Sequence, residues 1–172
     1  MKKSSLIICL VLISFLIVGC SNNSNTKTKS KTIKKFSQIT SKSGSLTCSR
    51  EATASDGVTP DFNYYIKFNG DRVLELHSVE KVTSDSSESL DTYEEAYKNI
   101  NKLYKGLKYY DTSVNRDKTS VTRDTVINYE KIDKTKLLQI EGDSDNIIEN
   151  GKAKLSLWLE MASKFGVTCT ED

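Results

Sequence analysis

Cysteines are the residues of this 172-residue chain with the clearest chemistry. Cys20 follows a positive start, Met1-Lys2-Lys3, and an apolar run over residues 6–18, and the motif Ile17-Val18-Gly19-Cys20 has the form of a lipobox. A small residue before the cysteine is typical of a leader that is cleaved and of a thiol that is then acylated. We therefore predict a signal peptide over residues 1–19 and lipidation at Cys20. A permanent transmembrane helix is the alternative, and the run is shorter than the roughly 20 apolar residues that such a helix needs.

Cys48 and Cys169 are the cysteines that remain once Cys9 in the leader and Cys20 at the lipidation site are set aside. They lie near the two ends of the expected domain, in a protein expected to reach an oxidising compartment. We expect a disulfide between them. The alternatives are two buried free thiols or a metal site. A metal site is weakly supported because neither cysteine has a second cysteine or a histidine at ligand spacing.

The other chemically active side chains form no recognisable catalytic or metal motif. His77 is the only histidine, and its alternation with Glu75 predicts a strand position that faces solvent. No serine lies in a Gly-x-Ser-x-Gly motif. Asp143-Ser144-Asp145-Asn146 resembles the opening of a calcium loop, but the glycine and the closing glutamate of such a loop are absent, so we interpret it as a solvated turn. The sequence predicts no enzyme, no metal site and no cofactor.

Charge is unevenly distributed along the chain. From Phe36 onward there are 18 Lys and Arg against 23 Asp and Glu, a net charge of −5. Residues 20–44 form a flexible basic tether in our prediction, with five lysines between Lys27 and Lys35. These lysines are expected either to contact anionic headgroups or to belong to a solvated spacer without a partner. An acidic domain argues against nucleic acid as a partner, since phosphates favour a concentrated basic face.

The first half of the domain is predicted to be a sheet built on one hairpin. Leu46-Thr47-Cys48 begins a strand, and residues 62–68 alternate apolar and polar side chains as a half-buried strand does. Asn69-Gly70 then indicates a tight turn into another strand at Val73. Asp91, with Glu94 three positions later, has the pattern of a capping box and predicts the start of a helix.

Two further strands and a second helix are predicted in the second half. The strands cover residues 108–115 and 119–129, and a single helical turn near Leu137-Leu138 and a polar loop follow. The helix is expected to be capped by Asn150 and to end at Gly166, before Val167-Thr168-Cys169 returns to the sheet. The order β-β-β-α-β-β-α predicts one α+β domain over residues 45–172. It has an antiparallel sheet of about five strands, with two helices packed on one face.

Several short motifs occur in an order that resembles the YehR-like family of small bacterial lipoproteins, whose function is not established. The resemblance covers roughly residues 45–170. It implies a compact α+β domain on a lipid tether, with no known catalytic residues to carry over. The motifs are the lipobox at Cys20, Leu46-Thr47-Cys48, Asn69-Gly70-Asp71-Arg72-Val73, Tyr93-Glu94-Glu95-Ala96, Ile127-Asn128-Tyr129-Glu130-Lys131-Ile132-Asp133 and Gly166-Val167-Thr168-Cys169.

Taken together, these patterns favour a non-enzymatic protein held by lipid on the extracytoplasmic face of the cell membrane. As a binding or interaction module, it would use a surface containing Tyr65, Tyr109 and Tyr110 to recognise an envelope protein, a peptide or a glycan. The first alternative is a structural spacer without a ligand. The second is an enzyme whose groups come from separate elements without a local motif.

Overall fold

The computed structural model describes residues 31–50, 54–142 and 146–172. The predicted signal peptide, Cys20 and the lysines from Lys27 to Lys29 lie outside the described residues, as does most of the turn that resembles a calcium loop. The domain begins at Lys31.

The domain is an α+β fold, as predicted. Its main sheet has six antiparallel strands in the order β4-β5-β3-β2-β1-β8. These strands are β1 (Ser43–Arg50), β2 (Val58–Asn69), β3 (Val73–Ser84), β4 (Tyr110–Arg116), β5 (Ser120–Asn128) and β8 (Val167–Glu171). A small separate hairpin contains β6 (Ile148–Glu149) and β7 (Lys152–Ala153). The helices are α1 (Ser87–Leu103), α2 (Lys134–Glu141) and α3 (Leu155–Lys164), and a short 3₁₀ helix covers Phe36–Gln38.

The predicted hairpin is present at the centre of the sheet. Ile66 of β2 pairs with Leu76 of β3, and both side chains are buried. Asn69 and Arg72 close the turn with main-chain hydrogen bonds of 2.9 and 3.2 Å. Gly70 occupies a left-handed conformation with φ +54°, which explains the glycine at this position.

The helix α1 begins four residues earlier than the Asp91 start that the sequence predicted. The Ser86 side chain accepts a hydrogen bond of 3.2 Å from the main-chain N–H of Ser89 and so caps the helix. Leu90 and Tyr97 form its fully buried face. The chain turns at Gly106, which has a positive φ of 83°, shortly after the helix ends.

The helix α3 also begins at a different place from the prediction. Asn150 has a positive φ of 51° and forms the turn between β6 and β7 with Gly151, so it does not cap the helix. The helix starts at Leu155, and the main-chain N–H of Ser156 in its first turn donates a hydrogen bond to the distant Asp71. The single helical turn expected before α3 is the helix α2, which is capped by Asp133. The small β6–β7 hairpin lies where the end of the polar loop was expected.

The ordered domain extends further toward the N-terminus than residue 45. Ile33 is 1% exposed. Its main-chain N–H donates to the Cys169 carbonyl at 2.7 Å, and its carbonyl accepts from the Cys169 N–H at 3.0 Å. Phe36 and Ile39 pack against the same core. This core lies between the sheet and α3, while a smaller cluster of Val58, Val82, Leu90, Tyr97 and Val121 lies under α1. The apolar residues Ile33, Phe36 and Ile39 of the predicted tether are therefore part of the domain.

Candidate functional site

Cys48 and Cys169 form a disulfide in the structure. They are directly paired across β1 and β8, with their Cα atoms 3.9 Å apart, and both are buried. The bond therefore joins the first and last strands of the sheet, as the sequence analysis expected. Cys48 and Cys169 are 0% and 2% exposed, so the bond is a structural link within the core.

The three tyrosines that the sequence suggested as one surface do not lie together. Tyr65 is 45% exposed on β2, and Tyr109 is 48% exposed directly before β4, with β3 and β5 between these two strands. Tyr110 is only 9% exposed, so its assignment to an exposed surface is wrong. Alternation along β4 points Tyr110 toward the helices, where its ring stacks on Tyr104 with 4.1 Å between centroids.

The sheet face opposite the helices is largely polar. His77 lies on it beside Tyr65, with ring centroids 5.4 Å apart, and its Nε2 is 3.2 Å from both carboxylate oxygens of Asp124. Lys67 and Glu75 form an ion pair of 2.8 Å on the same face. These side chains pair with one another across neighbouring strands.

A groove of about 590 Å³ lies between the C-terminal part of α1 and β4. Lys98 and Lys102 of α1 and Lys105 directly after it line one side, and the residues of β4 from Tyr110 to Val114 line the other. We call this the lysine groove. It combines three cationic side chains with an edge strand of the sheet, and it is the candidate binding site.

A buried polar network holds the two walls of the lysine groove together. The Asn101 side-chain oxygen accepts hydrogen bonds from the Thr112 hydroxyl at 3.0 Å and from Arg123 Nε at 2.8 Å. Arg123 also donates to the Tyr110 hydroxyl at 2.9 Å and pairs with Glu80 at 3.4 Å. Because Asn101 belongs to α1 and Thr112 to β4, these bonds fix the position of the helix relative to the strand.

The Arg123 guanidinium of this network faces the Glu80 carboxyl, so its charge is paired within the network. Burial raises the pKa of the Glu80 carboxyl, and the neighbouring Arg123 guanidinium acts in the opposite direction. Burial acts to lower the pKa of Arg123, but Glu80, Tyr110 and Tyr104 together raise it, so the guanidinium stays protonated. Burial also raises the pKa of Tyr110 to about 12, which keeps its hydroxyl neutral.

Two of the groove lysines have no acidic partner in the described part of the chain. Lys98 pairs with Glu94 one turn earlier on α1. Lys102 donates to the neutral side chain of Asn99 at 2.9 Å, and no carboxylate lies within ion-pair distance of Lys102 or Lys105 among the residues described. Asp111 also lines the groove and offsets one of these charges, so a smaller net positive charge remains there in an otherwise acidic domain.

β4 is an edge strand, and its outer edge faces the groove. Asn128 N–H bonds the Tyr109 carbonyl at 3.0 Å, and Asp117 N–H bonds the Ser120 carbonyl at 2.9 Å. Hydrogen-bonded and non-hydrogen-bonded residue pairs alternate along an antiparallel ladder. The main-chain groups of the odd-numbered residues of β4 therefore point toward β5. The N–H and C=O groups of the even-numbered residues, among them Thr112 and Val114, point outward, and no hydrogen bond reaches these N–H groups within the described ranges.

The lysine groove was not predicted from the sequence, although one signal for it was present. Lys98, Lys102 and Lys105 follow one another at steps of four and three residues, which places them on one side of a helix. Arg123 gave no such signal, because a charged residue in an alternating strand ordinarily faces solvent. In the described ranges no group of three or more His, Cys, Asp or Glu could hold a metal ion, and no helix has the length and hydrophobicity needed to cross a membrane.

No protein-family model and no curated protein sequence matches the chain. It is similar to the NMR structure of the E. coli YehR protein, with 18% identity, a TM-score of 0.48, and coverage of 76% of this chain and 93% of that one. It is also similar to an NMR structure of a protein from Streptococcus pneumoniae TIGR4, with 16% identity, a TM-score of 0.43, and coverage of 92% and 95%. YehR is thus among the solved structures that this chain resembles, as the sequence motifs indicated.

Proposed function

We propose that this chain is a lipid-anchored, non-enzymatic binding module on the extracytoplasmic face of the cell membrane, and that it binds an anionic partner in the lysine groove. One observation supports this binding site. Lys102 and Lys105 lack acidic partners beside a cavity of about 590 Å³ whose walls are fixed by a buried network. A preorganised, positively charged groove is suited to a negatively charged ligand.

The charge distribution favours this location over the rest of the surface. The chain from Phe36 onward carries a net charge of −5, so an anionic partner is repelled by most of the domain. Lys98, Lys102 and Lys105 lie within about two helical turns of one another at the end of α1. The attraction is therefore local, and it should weaken as salt screens the exposed lysines.

The membrane location is supported by the lipobox at Cys20, and the disulfide between Cys48 and Cys169 suits an oxidising compartment. The basic stretch Lys27–Lys35 would add contact with anionic headgroups. Cys20→Ala should abolish labelling by a fatty-acid analogue in the producing cell, because it removes the acceptor thiol. Equal labelling of Cys20→Ala and the parent chain would contradict the anchor.

A spacer without a ligand is the second candidate, and the polar open face of the sheet favours it. On that face Lys67 and Asp124 are already paired with side chains of β3. A spacer needs no saturable binding. The two candidates therefore make opposite predictions for the lysine groove.

Binding of a glutamate octapeptide to the full chain in zwitterionic detergent micelles, measured at low ionic strength, tests the groove. We expect saturable binding that Lys102→Gln with Lys105→Gln weakens at least tenfold. The matched control, Lys81→Gln with Lys152→Gln, removes the same charge from exposed positions on β3 and β7 and should change binding less than twofold. Absence of saturable binding, or equal weakening by both pairs, would overturn the proposed site.

A further inference from the structure

We propose that the partner is an extended acidic peptide segment that adds to β4 as a further strand of the sheet. The inference rests on the proposed function of the lysine groove and specifies its ligand. Such binding requires an open strand edge, cations at a matching spacing, and a charge that disfavours other partners. The described structure provides each of these.

The open edge is the first requirement. The main-chain groups of Thr112 and Val114 point away from β5, and their N–H groups have no partner within the described ranges. An extended peptide placed about 4.8 Å from β4 would bond these groups as a neighbouring strand does. Asp111 and Ser113 between them are exposed, so the strand is accessible to solvent.

The opposite edge of the sheet, at β8, is partly covered by another segment of the chain. Ile33 exchanges two main-chain hydrogen bonds with Cys169 of β8, at 2.7 and 3.0 Å, and is itself buried. The N-terminal segment thereby covers part of the β8 edge. Proteins ordinarily cover or disrupt an exposed edge, because it pairs with any extended chain. β4 contains no proline and no lysine, so it lacks two common ways of blocking such pairing.

The lysine spacing fits a strand that lies along β4. Arg116 contacts Asp91 at 3.2 Å, and Thr112 contacts Asn101 at 3.0 Å. Asp91 and Asn101 are ten residues apart on α1, about 15 Å, and their partners on β4 are four residues apart, about 14 Å. The helix therefore lies beside the strand and runs antiparallel to it. Side chains at every second peptide position, about 7 Å apart, would meet Lys98 and Lys102, which are about 6 Å apart along α1.

Charge selects among the occupants that could use this edge. A second copy of the chain, paired β4 to β4, would bring two sets of groove lysines together, and like charges oppose that arrangement. An anionic glycan would satisfy the lysines without using the main-chain groups of Thr112 and Val114. A peptide with acidic residues at alternate positions satisfies both sets of groups.

Peptide N-methylation separates strand addition from charge attraction alone. The probe is an octapeptide with glutamate at alternate positions and threonine or valine between them, titrated into the full chain in detergent micelles. One derivative is N-methylated at the glutamates and the other at the intervening residues. Because only one of these two sets of N–H groups can face β4, one derivative should bind at least tenfold more weakly than the parent peptide and the other within about threefold.

Three results would overturn the inference, and each is distinct from failure of the groove itself. The first is lysine-dependent binding that both methylated derivatives retain or both lose equally. The second is equal or tighter binding of a sulfated oligosaccharide at the same lysines, which would indicate a glycan. The third is a dimer in sedimentation that the peptide does not dissociate. If Lys102→Gln with Lys105→Gln leaves binding of the parent peptide unchanged, the proposed function fails instead.

Discussion

Asp71, in the turn between β2 and β3, caps the N-terminus of α3 through Ser156. One carboxylate oxygen accepts the main-chain N–H of Ser156 at 2.7 Å, and the other accepts its hydroxyl at 2.9 Å. Lys154, at the N-cap position, makes no side-chain cap of its own and lies 3.4 Å from the same carboxylate. A residue 85 positions earlier in the chain thus replaces the local cap that the helix lacks.

Asp71→Ala should destabilise the domain by about 1–2 kcal/mol, since it removes an N-cap and a favourable charge at the start of a helix. Urea unfolding measures the change. Asp111→Ala, which removes an exposed carboxylate from β4, is the control and should cost less than about 0.5 kcal/mol. Equal losses for the two variants would contradict the capping role.

Trp158→Ala should cost about 3–5 kcal/mol, because truncation leaves a large cavity in the core. Trp158 is 4% exposed on α3, and its ring packs edge-on against Tyr64 with 5.5 Å between centroids. Leu103→Ala, at an exposed position of α1, is the control. A loss below about 1 kcal/mol for Trp158→Ala in urea unfolding would show that α3 does not pack through this side chain.

Reduction of the Cys48–Cys169 bond should lower the free energy of unfolding by about 2–5 kcal/mol, because the bond closes a loop between residues 121 positions apart. Thiol titration of the denatured chain, before and after reduction, checks the bond itself. In the processed parent chain the leader with Cys9 is removed and Cys20 is blocked by lipid, so the titration counts only Cys48 and Cys169. Two reactive thiols from Cys48 and Cys169 without reduction would contradict the disulfide.

Glu171 should make the stability of the N-terminal segment depend on acidity. The Thr40 hydroxyl and the main-chain N–H groups of Thr40 and Ser41 donate to its carboxylate, and these bonds lower its pKa from 4.5 to about 2. A depressed folded-state pKa gives stability that is complete above the unfolded value and lost as the pH falls from about 4.5 to about 2.

The difference in stability between the parent chain and Glu171→Gln should therefore be largest at neutral pH and should shrink across that acid range. Urea midpoints at several pH values measure it. Glu160→Gln, at an exposed position on α3, is the control for loss of one carboxylate. A difference that stays constant down to pH 2 would show that the charge of Glu171 is not involved.

Local patterns predicted the parts of the fold that depend on neighbouring residues. The alternation over residues 62–68 and the Asn69-Gly70 pair were enough for the central hairpin, and the apolar stripe over Tyr97 was enough for α1. Asn150-Gly151 was misinterpreted because asparagine suits both a helix cap and a left-handed turn, and only the distant Asp71 removes the need for a local cap.

The candidate site was less predictable because it depends on pairing between distant elements. Tyr110 and Arg123 are buried through the registers of β4 and β5, which a strand with mostly polar residues does not reveal. Ile33, a single apolar residue among lysines, had no periodic partner, so only the β8 edge explains its burial. The lysines of α1 were visible in the sequence, whereas the open edge beside them was not.

The contact between Ile33 and Cys169 determines where mechanical load enters the domain. Tension on the chain before Ile33 reaches the sheet at Cys169, and the covalent bond passes it directly to Cys48 of β1. The five-residue β8 therefore need not resist that load with its hydrogen bonds alone. β4 lies five strand spacings away, about 24 Å, at the other edge. A pull between the N-terminal side and a partner held at β4 would therefore cross the hydrogen-bonded ladders between all six strands.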